Sequence, residues 1–136
     1  MTHVFTYGSL MFERIWTSVV RGQYESLHGT LYGFKRRSIR NEHYPALVPG
    51  PLTAAVKGIL YLHIDDGDLR RLDSFEGSYY ARKTVQVHTD NNIFQAEAYV
   101  LEPEYRHLVT DQDWDPDRFG DEGIDSFIST YFGFDR

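Results

Sequence analysis

Cysteine is absent from the sequence, and this absence excludes three kinds of chemistry. The 136 residues can form no disulfide, no zinc site with thiolate ligands and no cysteine nucleophile. Long hydrophobic runs are absent as well, since no stretch of about 18 apolar residues occurs and no basic segment followed by an apolar one opens the chain. We therefore expect neither export nor a membrane partner, and we expect a cytoplasmic location.

Positive charge is scarce. The chain has 14 Lys and Arg residues against 20 Asp and Glu residues, so its formal net charge is −6. Because phosphate binding needs a clustered excess of basic side chains, we expect no nucleic-acid partner. The segment "GFKRRSIR" is the local exception. In a strand Lys35 and Arg37 would face one way and Arg36 the other, which is typical of a solvated flank.

Motifs for metals and nucleotides are also missing. The six histidines form neither H-E-x-x-H nor H-x-H. Two Glu-x-x-His pairs have helical ligand spacing, but the one ending at His107 follows a proline and the one ending at His28 lies in strand-like sequence. Neither G-x-G-x-x-G nor G-x-x-x-x-G-K-[ST] occurs. We expect no metal and no cofactor.

The composition is that of a folded protein, with 41% hydrophobic and 15% aromatic residues. A chain of this length without repeats or linkers fits one domain over residues 1–136. Few, short helices among antiparallel strand patterns predict an α+β fold. Several glycines fall inside the strand patterns, where bends and bulges tend to occur, so we expect a barrel-like or strongly curved sheet.

Hydrophobic periodicity and turn residues predict the order of the elements. The predicted elements are a strand over 3–7, a Gly-Ser turn, a helix from Phe12 to Val20, strands within 27–64, a helix within 65–77, a hairpin of strands 79–89 and 93–101 around Asp90-Asn91-Asn92, a loop over 110–123 and a closing helix over 124–134.

The short helix carries a carboxylate on its apolar face. Leu69, Leu72 and Glu76 are spaced i, i+3 and i+7, so they share one stripe, whereas Asp73 is turned away from it. Burial and the helix C-terminus would both raise the pKa of Glu76, which suits a general base that must also return a proton. The alternative is that the helix frays at Gly77 and leaves Glu76 in water.

The opening turn "YGSL" can be interpreted in two ways. A glycine at a strand end allows close approach to the backbone, and free N–H groups there can hold an anion or oxyanion. The alternative is an ordinary tight turn with a core tyrosine. Ser9 is a weak candidate for a nucleophile, because the segment lacks the G-x-S-x-G elbow and no histidine is placed to act as its base.

Several segments together resemble the γ-glutamylcyclotransferase family, in particular its AIG2-like branch. The similarity extends over about the first hundred residues. The matching segments are "YGSL", "GTLYGFKRR", "YPALVPGP", "VKGILY", "LRRLDSFEGSYYARKTVQV" and "AEAYV". The resemblance implies a small mixed barrel with flanking short helices, and a cavity over which the "YGSL" loop meets Glu76.

The resemblance also implies a reaction on a small γ-glutamyl substrate. Glu76 would be the catalytic acid/base: it takes a proton from the α-amine, which attacks its own γ-carbonyl and releases 5-oxoproline and an amine or amino acid. Arg82 would have a structural role. The residues implied to bind the substrate are Tyr7, Gly8, Ser9, Leu10 and Tyr80, with the backbone of the middle three as donors.

Two alternatives to an enzyme remain open at this point. A non-catalytic module could use the same pocket to bind a small metabolite, and the aromatic "YFGF" near the C-terminus could be a contact surface of an interaction protein. Beyond about residue 102 the resemblance thins, and we expect the choice of leaving group to depend on that part of the chain. The sequence determines neither the leaving group nor the oligomeric state.

Overall fold

The computed structural model describes residues 2–40, 42 and 44–119. This part of the chain contains eight β-strands, three α-helical segments and two 3₁₀ turns, at Ser9–Met11 and Pro103–Leu108. The strands are β1 Thr2–Thr6, β2 Ser26–Tyr32, β3 Phe34–Ile39, β4 Pro45–Pro49, β5 Ala55–Ile64, β6 Tyr80–His88, β7 Ile93–Leu101 and β8 Val109–Asp113. The helices are α1 Glu13–Val19, α2 Asp66–Glu76 and α3 Pro116–Arg118.

Five strands close into a barrel in the order β1-β5-β2-β6-β7. The neighbours pair antiparallel except β1 and β7, which are parallel and meet at Val4 and Glu97. A second sheet of order β4-β3-β8 lies beside it. The structure thus confirms the predicted α+β fold with a small mixed barrel and short flanking helices.

Two glycines allow close packing across the interior of the barrel. Gly29 and Gly58 are cross-strand partners on β2 and β5. A Cβ atom on Gly58 would lie 2.1 Å from the carbonyl oxygen of Thr6, and one on Gly29 would lie 2.6 Å from Val87. The strand glycines were expected at bends or bulges; at these two positions they permit close approach of strands and side chains across the interior.

The helix α2 begins and ends as its sequence predicts. The Asp65 side chain accepts a hydrogen bond from the backbone N–H of Asp68, which caps the first turn. Gly77 ends the helix with a φ of 76°, a conformation that glycine adopts without strain. Leu69 and Leu72 are buried in the core between α1, α2 and the barrel. Glu76 is therefore held at the last helical position.

The hairpin is also confirmed, whereas the acidic loop is a partial correction. Strands β6 and β7 pair in continuous register from Tyr80–Leu101 to His88–Ile93. The start of the segment predicted as loop, however, forms β8 and pairs with β3, because hydrogen bonding to a sheet edge outweighs the low β propensity of its polar residues.

The closing helix predicted over 124–134 lies outside the described residues. No helix in the described ranges has the length and apolar character to cross a membrane.

Candidate active site

A cavity opens where the end of β1, the start of β4, the end of α2 and the β6–β7 hairpin meet. It is narrow and is open to solvent at its mouth. Among its lining residues are the four of the "YGSL" loop, Tyr44, Pro45, Glu76, Tyr80 and Tyr99. The structure thus brings Glu76 and Tyr80 together with Tyr7, Gly8, Ser9 and Leu10, although almost seventy residues separate the loop from Glu76.

Glu76 lies on the cavity wall with no partner among the described residues. It is half-buried, and no described group donates a hydrogen bond to its carboxylate. Burial raises the pKa of Glu76 to about 8, because a carboxylate in an apolar setting is less well solvated than in water. Helix α2 continues to Glu76 itself, so the alternative of a frayed, hydrated end does not hold. This carboxyl group can both accept and return a proton near neutral pH.

The loop presents polar groups that the described protein leaves unused. The carbonyl groups of Gly8 and Ser9 accept hydrogen bonds from Met11 and Phe12 at 3.0 and 3.1 Å. The backbone N–H groups of Gly8, Ser9 and Leu10 donate to no group in the described ranges. The Ser9 hydroxyl also forms no hydrogen bond there, although this residue is only 6% exposed. Since buried polar groups are normally paired, this cluster is suited to a polar ligand.

The Pro45 ring leaves no room for a side chain at position 8. A Cβ atom at this position would lie 2.8 Å from both Cγ and Cδ of Pro45, and the proline ring cannot rotate away. Any side chain would therefore push the first residue of β4 and the loop apart. Such a displacement would change the cavity directly, because both residues line it.

Three tyrosine hydroxyls around the cavity donate their protons within the protein. Tyr7 donates to the carbonyl oxygen of Tyr99, Tyr80 donates to that of Pro45 at 2.7 Å, and Tyr99 donates to Oδ1 of Asp73 at 2.6 Å. Burial raises the pKa of Tyr7 and of Tyr99, so both phenols remain protonated. These side chains fix the shape of the wall. Tyr80 lines the cavity as expected, but its donor proton is used to hold β4.

Asp73 is a residue whose position the sequence analysis predicted wrongly. It is not turned away: its carboxylate accepts from Tyr99 and lies 3.1 Å from Nε of Arg82. Arg82 also approaches Glu97, with Nη1 3.7 Å from Oε1. Asp73 therefore ties the last turn of α2 to the β6–β7 hairpin. The i, i+3 spacing from Asp73 to Glu76 was the available signal, because such residues are neighbours on one face of a helix.

Arg36 is a second such residue. It was expected on a solvated flank, yet it is half-buried and its Nη1 donates to the carbonyl oxygens of Tyr7 at 2.9 Å and Lys57 at 3.2 Å. Its guanidinium also lies 5.5 Å from the centre of the Trp114 ring. The strand alternation that separates Arg36 from Lys35 and Arg37 was the relevant signal.

The described residues contain no group of three or more side chains placed to hold a metal ion. The polar groups at the cavity that lack a partner in the described ranges include the Glu76 carboxyl, the Ser9 hydroxyl and the backbone N–H groups of the loop. This donor set suits proton transfer and the binding of carbonyl or carboxylate oxygens.

Comparison with known proteins identifies the relatives of this architecture. Residues 4–116 match the family model described as gamma-glutamyl cyclotransferase, AIG2-like. AIG2-like protein D of Arabidopsis thaliana is 37% identical over 87 residues, which are 64% of this chain and 57% of that protein. The chain spans a little over half the length of the curated relatives it matches.

Two solved structures share the fold. The crystal structure of an AIG2-like protein from Mus musculus has a TM-score of 0.64 and 27% sequence identity, with 85% of this chain and 88% of that one covered. A structure described as gamma-glutamyl cyclotransferase has a TM-score of 0.66 and 16% identity, covering 79% of this chain and 75% of that one. At the lower identity the similarity concerns the fold alone.

Proposed function

The chain belongs to the gamma-glutamyl cyclotransferase, AIG2-like family, and we propose that it is a cyclotransferase that acts on a small γ-glutamyl amine or γ-glutamyl amino acid. In this reaction the α-amine of the glutamyl group attacks its own γ-carbonyl. The products are 5-oxoproline and the released amine or amino acid. We place the reaction in the cytoplasm and assign it no metal and no cofactor.

Glu76 is the proton carrier in this proposal. The α-ammonium group of the substrate must lose a proton before its nitrogen can attack, and the ionised Glu76 accepts it. The new C–N bond closes the five-membered ring as the bond to the leaving nitrogen breaks. Of the three ammonium protons one stays on the lactam nitrogen and two end on the released amine, each relayed through Glu76. A carboxyl group with a pKa of about 8 can take part in both directions of transfer.

The loop holds the substrate in this proposal. Ring closure requires the glutamyl chain to fold back on itself, so a site that fixes this shape favours the reaction through orientation. The N–H groups of Gly8, Ser9 and Leu10 bind the carbonyl and carboxylate oxygens. Negative charge that develops on the γ-carbonyl oxygen is stabilised by such donors, and one well-aimed donor is typically worth about 10²- to 10³-fold in rate.

One observation carries the proposal. The polar groups without a partner in the described ranges converge on a single cavity from two distant segments, with a carboxyl group of raised pKa from α2 and a row of N–H donors from the loop. A proton acceptor and oxyanion donors that line the same cavity are what cyclising amide cleavage needs.

The test is 5-oxoproline release measured by mass spectrometry. Wild type and Glu76→Gln are each incubated with a panel of γ-glutamyl amino acids and γ-glutamyl amines. Release by wild type alone supports the proposal and identifies the leaving group. Equal release by both proteins would exclude Glu76 as the proton carrier.

The alternative is a non-catalytic module that binds a γ-glutamyl or carboxylate metabolite in the same cavity. The uncommitted loop N–H groups would serve such a module equally well. Glu76 favours the enzyme, because a buried carboxyl group of raised pKa helps binding little unless the ligand carries an amine. Binding of panel members by calorimetry without any 5-oxoproline release, by folded protein, would favour the module.

A further inference from the structure

Arg36 contacts the cavity loop without lining the cavity itself. Its Nη1 donates to the Tyr7 carbonyl oxygen at 2.9 Å and to the Lys57 carbonyl oxygen at 3.2 Å. Arg36 lines two grooves on the outside of the molecule, whereas the loop, together with Glu76, lines the cavity. The Tyr7 carbonyl thus points out of the cavity, toward a cation.

The geometry of the peptide unit then fixes the direction of the next N–H. The described part of the chain contains no cis peptide bond, and in a trans unit the C=O and N–H bonds point in opposite directions. Since the Tyr7 carbonyl points to Arg36, which does not line the cavity, the Gly8 N–H points away from Arg36, and Gly8 itself lines the cavity. This N–H has no acceptor among the described residues.

The contact also changes the strength of the donor. A hydrogen bond from a guanidinium is charge-assisted, and it polarises the peptide unit that accepts it. The N–H at the other end of a polarised unit becomes a better donor. Arg36 has a fixed position for this role, because it bridges two carbonyl groups and lies against the Trp114 ring.

We propose that Arg36 is a positioning residue that aims and strengthens the Gly8 N–H toward the γ-carbonyl oxygen as this oxygen gains negative charge. The inference rests on the proposed cyclotransferase function. It assigns Arg36 no contact with substrate. Because the charge on the oxygen is largest in the transition state, the contribution is to kcat more than to KM.

The neighbouring Arg37 offers a matched control. It is one residue along β3, faces the other way, and pairs with Asp113 at 2.7 Å. We expect Arg36→Met to lower kcat by about 10- to 100-fold, which is a part of the typical value of one oxyanion donor. We expect KM to change by less than about threefold, and Arg37→Met to keep both constants near those of wild type. Equal kcat in the two variants, or a loss confined to KM, would overturn the proposal.

Arg36→Lys keeps the positive charge, but its side chain is one bond shorter and lacks the planar guanidinium that lies against the Trp114 ring, so its ammonium group cannot take the position of Nη1 between the two carbonyl oxygens. We expect its kcat to lie between those of wild type and Arg36→Met. This variant still tests the role of Arg36 if Arg36→Met fails to fold, which circular dichroism would reveal. A kcat for Arg36→Lys equal to that of wild type would contradict the required geometry.

A spectroscopic measurement tests the contact without turnover. The Tyr7 carbonyl carbon and the Gly8 amide nitrogen belong to one peptide unit, so both NMR resonances should move in Arg36→Met or Arg36→Lys and remain in place in Arg37→Met. Addition of 5-oxoproline should shift the Gly8 amide proton of wild type, and shift it less in the Arg36 variants. Unmoved resonances would overturn the proposal about Arg36 even if the protein were active. Moved resonances in a protein that releases no 5-oxoproline would support it while the proposed function failed.

Discussion

The two walls of the cavity differ in how their polar groups are used. On the tyrosine wall, the hydroxyls of Tyr7, Tyr80 and Tyr99 all donate to atoms of the protein. On the second wall, which the end of α2 and the loop form together, Glu76 and the loop N–H groups have no partner among the described residues. Because an unpaired buried polar group is costly, the second wall is the one whose groups a ligand can satisfy. The difference separates residues that shape the cavity from residues that would act on a ligand.

The largest effect is expected from removal of the Glu76 carboxylate. We expect Glu76→Gln to lower kcat by about 10²- to 10⁴-fold, because the amide keeps the shape of the side chain and cannot accept the proton. Affinity for 5-oxoproline should stay close to that of wild type. Steady-state kinetics and calorimetry check the two parts, and Tyr80→Phe on the tyrosine wall is the comparison variant. A larger kcat loss in Tyr80→Phe would reverse the roles of the two walls.

The second prediction concerns the loop backbone. Gly8→Val should weaken binding of 5-oxoproline by about tenfold or more, because the new side chain cannot fit against the Pro45 ring and the N–H donors are displaced. Calorimetry measures the affinity. Gly67→Ala in the first turn of α2 is the control and should bind as wild type does. Native affinity in Gly8→Val would mean that the loop is only a turn.

The third prediction concerns the tyrosine wall. Tyr99→Phe keeps the ring and removes the hydroxyl that donates to Asp73. Hydrogen bonds to charged groups contribute about 1.5–3 kcal/mol, and because the Asp73 side chain is 40% exposed we expect a loss of about 1–2 kcal/mol in the free energy of unfolding. Denaturant titration measures it. The affinity for 5-oxoproline should change little, and a large loss of affinity with native stability would show that Tyr99 acts on the ligand.

The fourth prediction uses the pKa of Glu76. Its value of about 8 in the folded protein lies above the usual 4.5, so the folded state binds the proton more tightly than the unfolded state does. The associated stability is complete below pH 4.5 and is lost as the pH rises through about 8. Gln cannot ionise, so Glu76→Gln should match wild type near pH 5 and exceed it at pH 9.

The size of this difference follows from the same shift. A full pKa unit corresponds to about 1.4 kcal/mol, and partial hydration of the half-buried side chain reduces the effect, so we expect about 1–3 kcal/mol at pH 9. Denaturant titrations of both proteins at the two pH values measure it. A constant difference between pH 5 and pH 9 would show that the Glu76 carboxylate is not desolvated in the folded state.

Much of the fold followed from local patterns. Helix α2 has its cap at Asp65 and its stop at Gly77, and the β6–β7 hairpin has alternating side chains around a polar turn, so each carries its own boundary signals. Strand β8 carries no such signals, because its residues pair with those of β3, which lie seventy or more positions away in the sequence. A sheet edge supplies that pairing only after the chain has folded.

Local patterns likewise predicted only some of the residues of the candidate site. The apolar stripe of α2 indicated that Glu76 faces inward, and the glycine after β1 indicated a loop with free N–H groups. Asp73 and Arg36 were misjudged, because their partners are Tyr99 on β7 and the Tyr7 carbonyl. Local spacing could indicate the direction of each side chain, but not the distant atoms that it would contact.

The sequence by itself determined the class of fold and the positions of the main helices and strands, and it singled out two of the segments that line the cavity. It could do so because periodicity, caps and turn residues act over a few neighbouring positions. Only the tertiary structure decided which polar groups stay unpaired, because satisfaction of a hydrogen bond depends on atoms that the chain brings together across the barrel. The raised pKa of Glu76 likewise depends on burial in the folded protein. The hydrogen bond from Arg36 to the Tyr7 carbonyl oxygen joins residues that only the fold brings together.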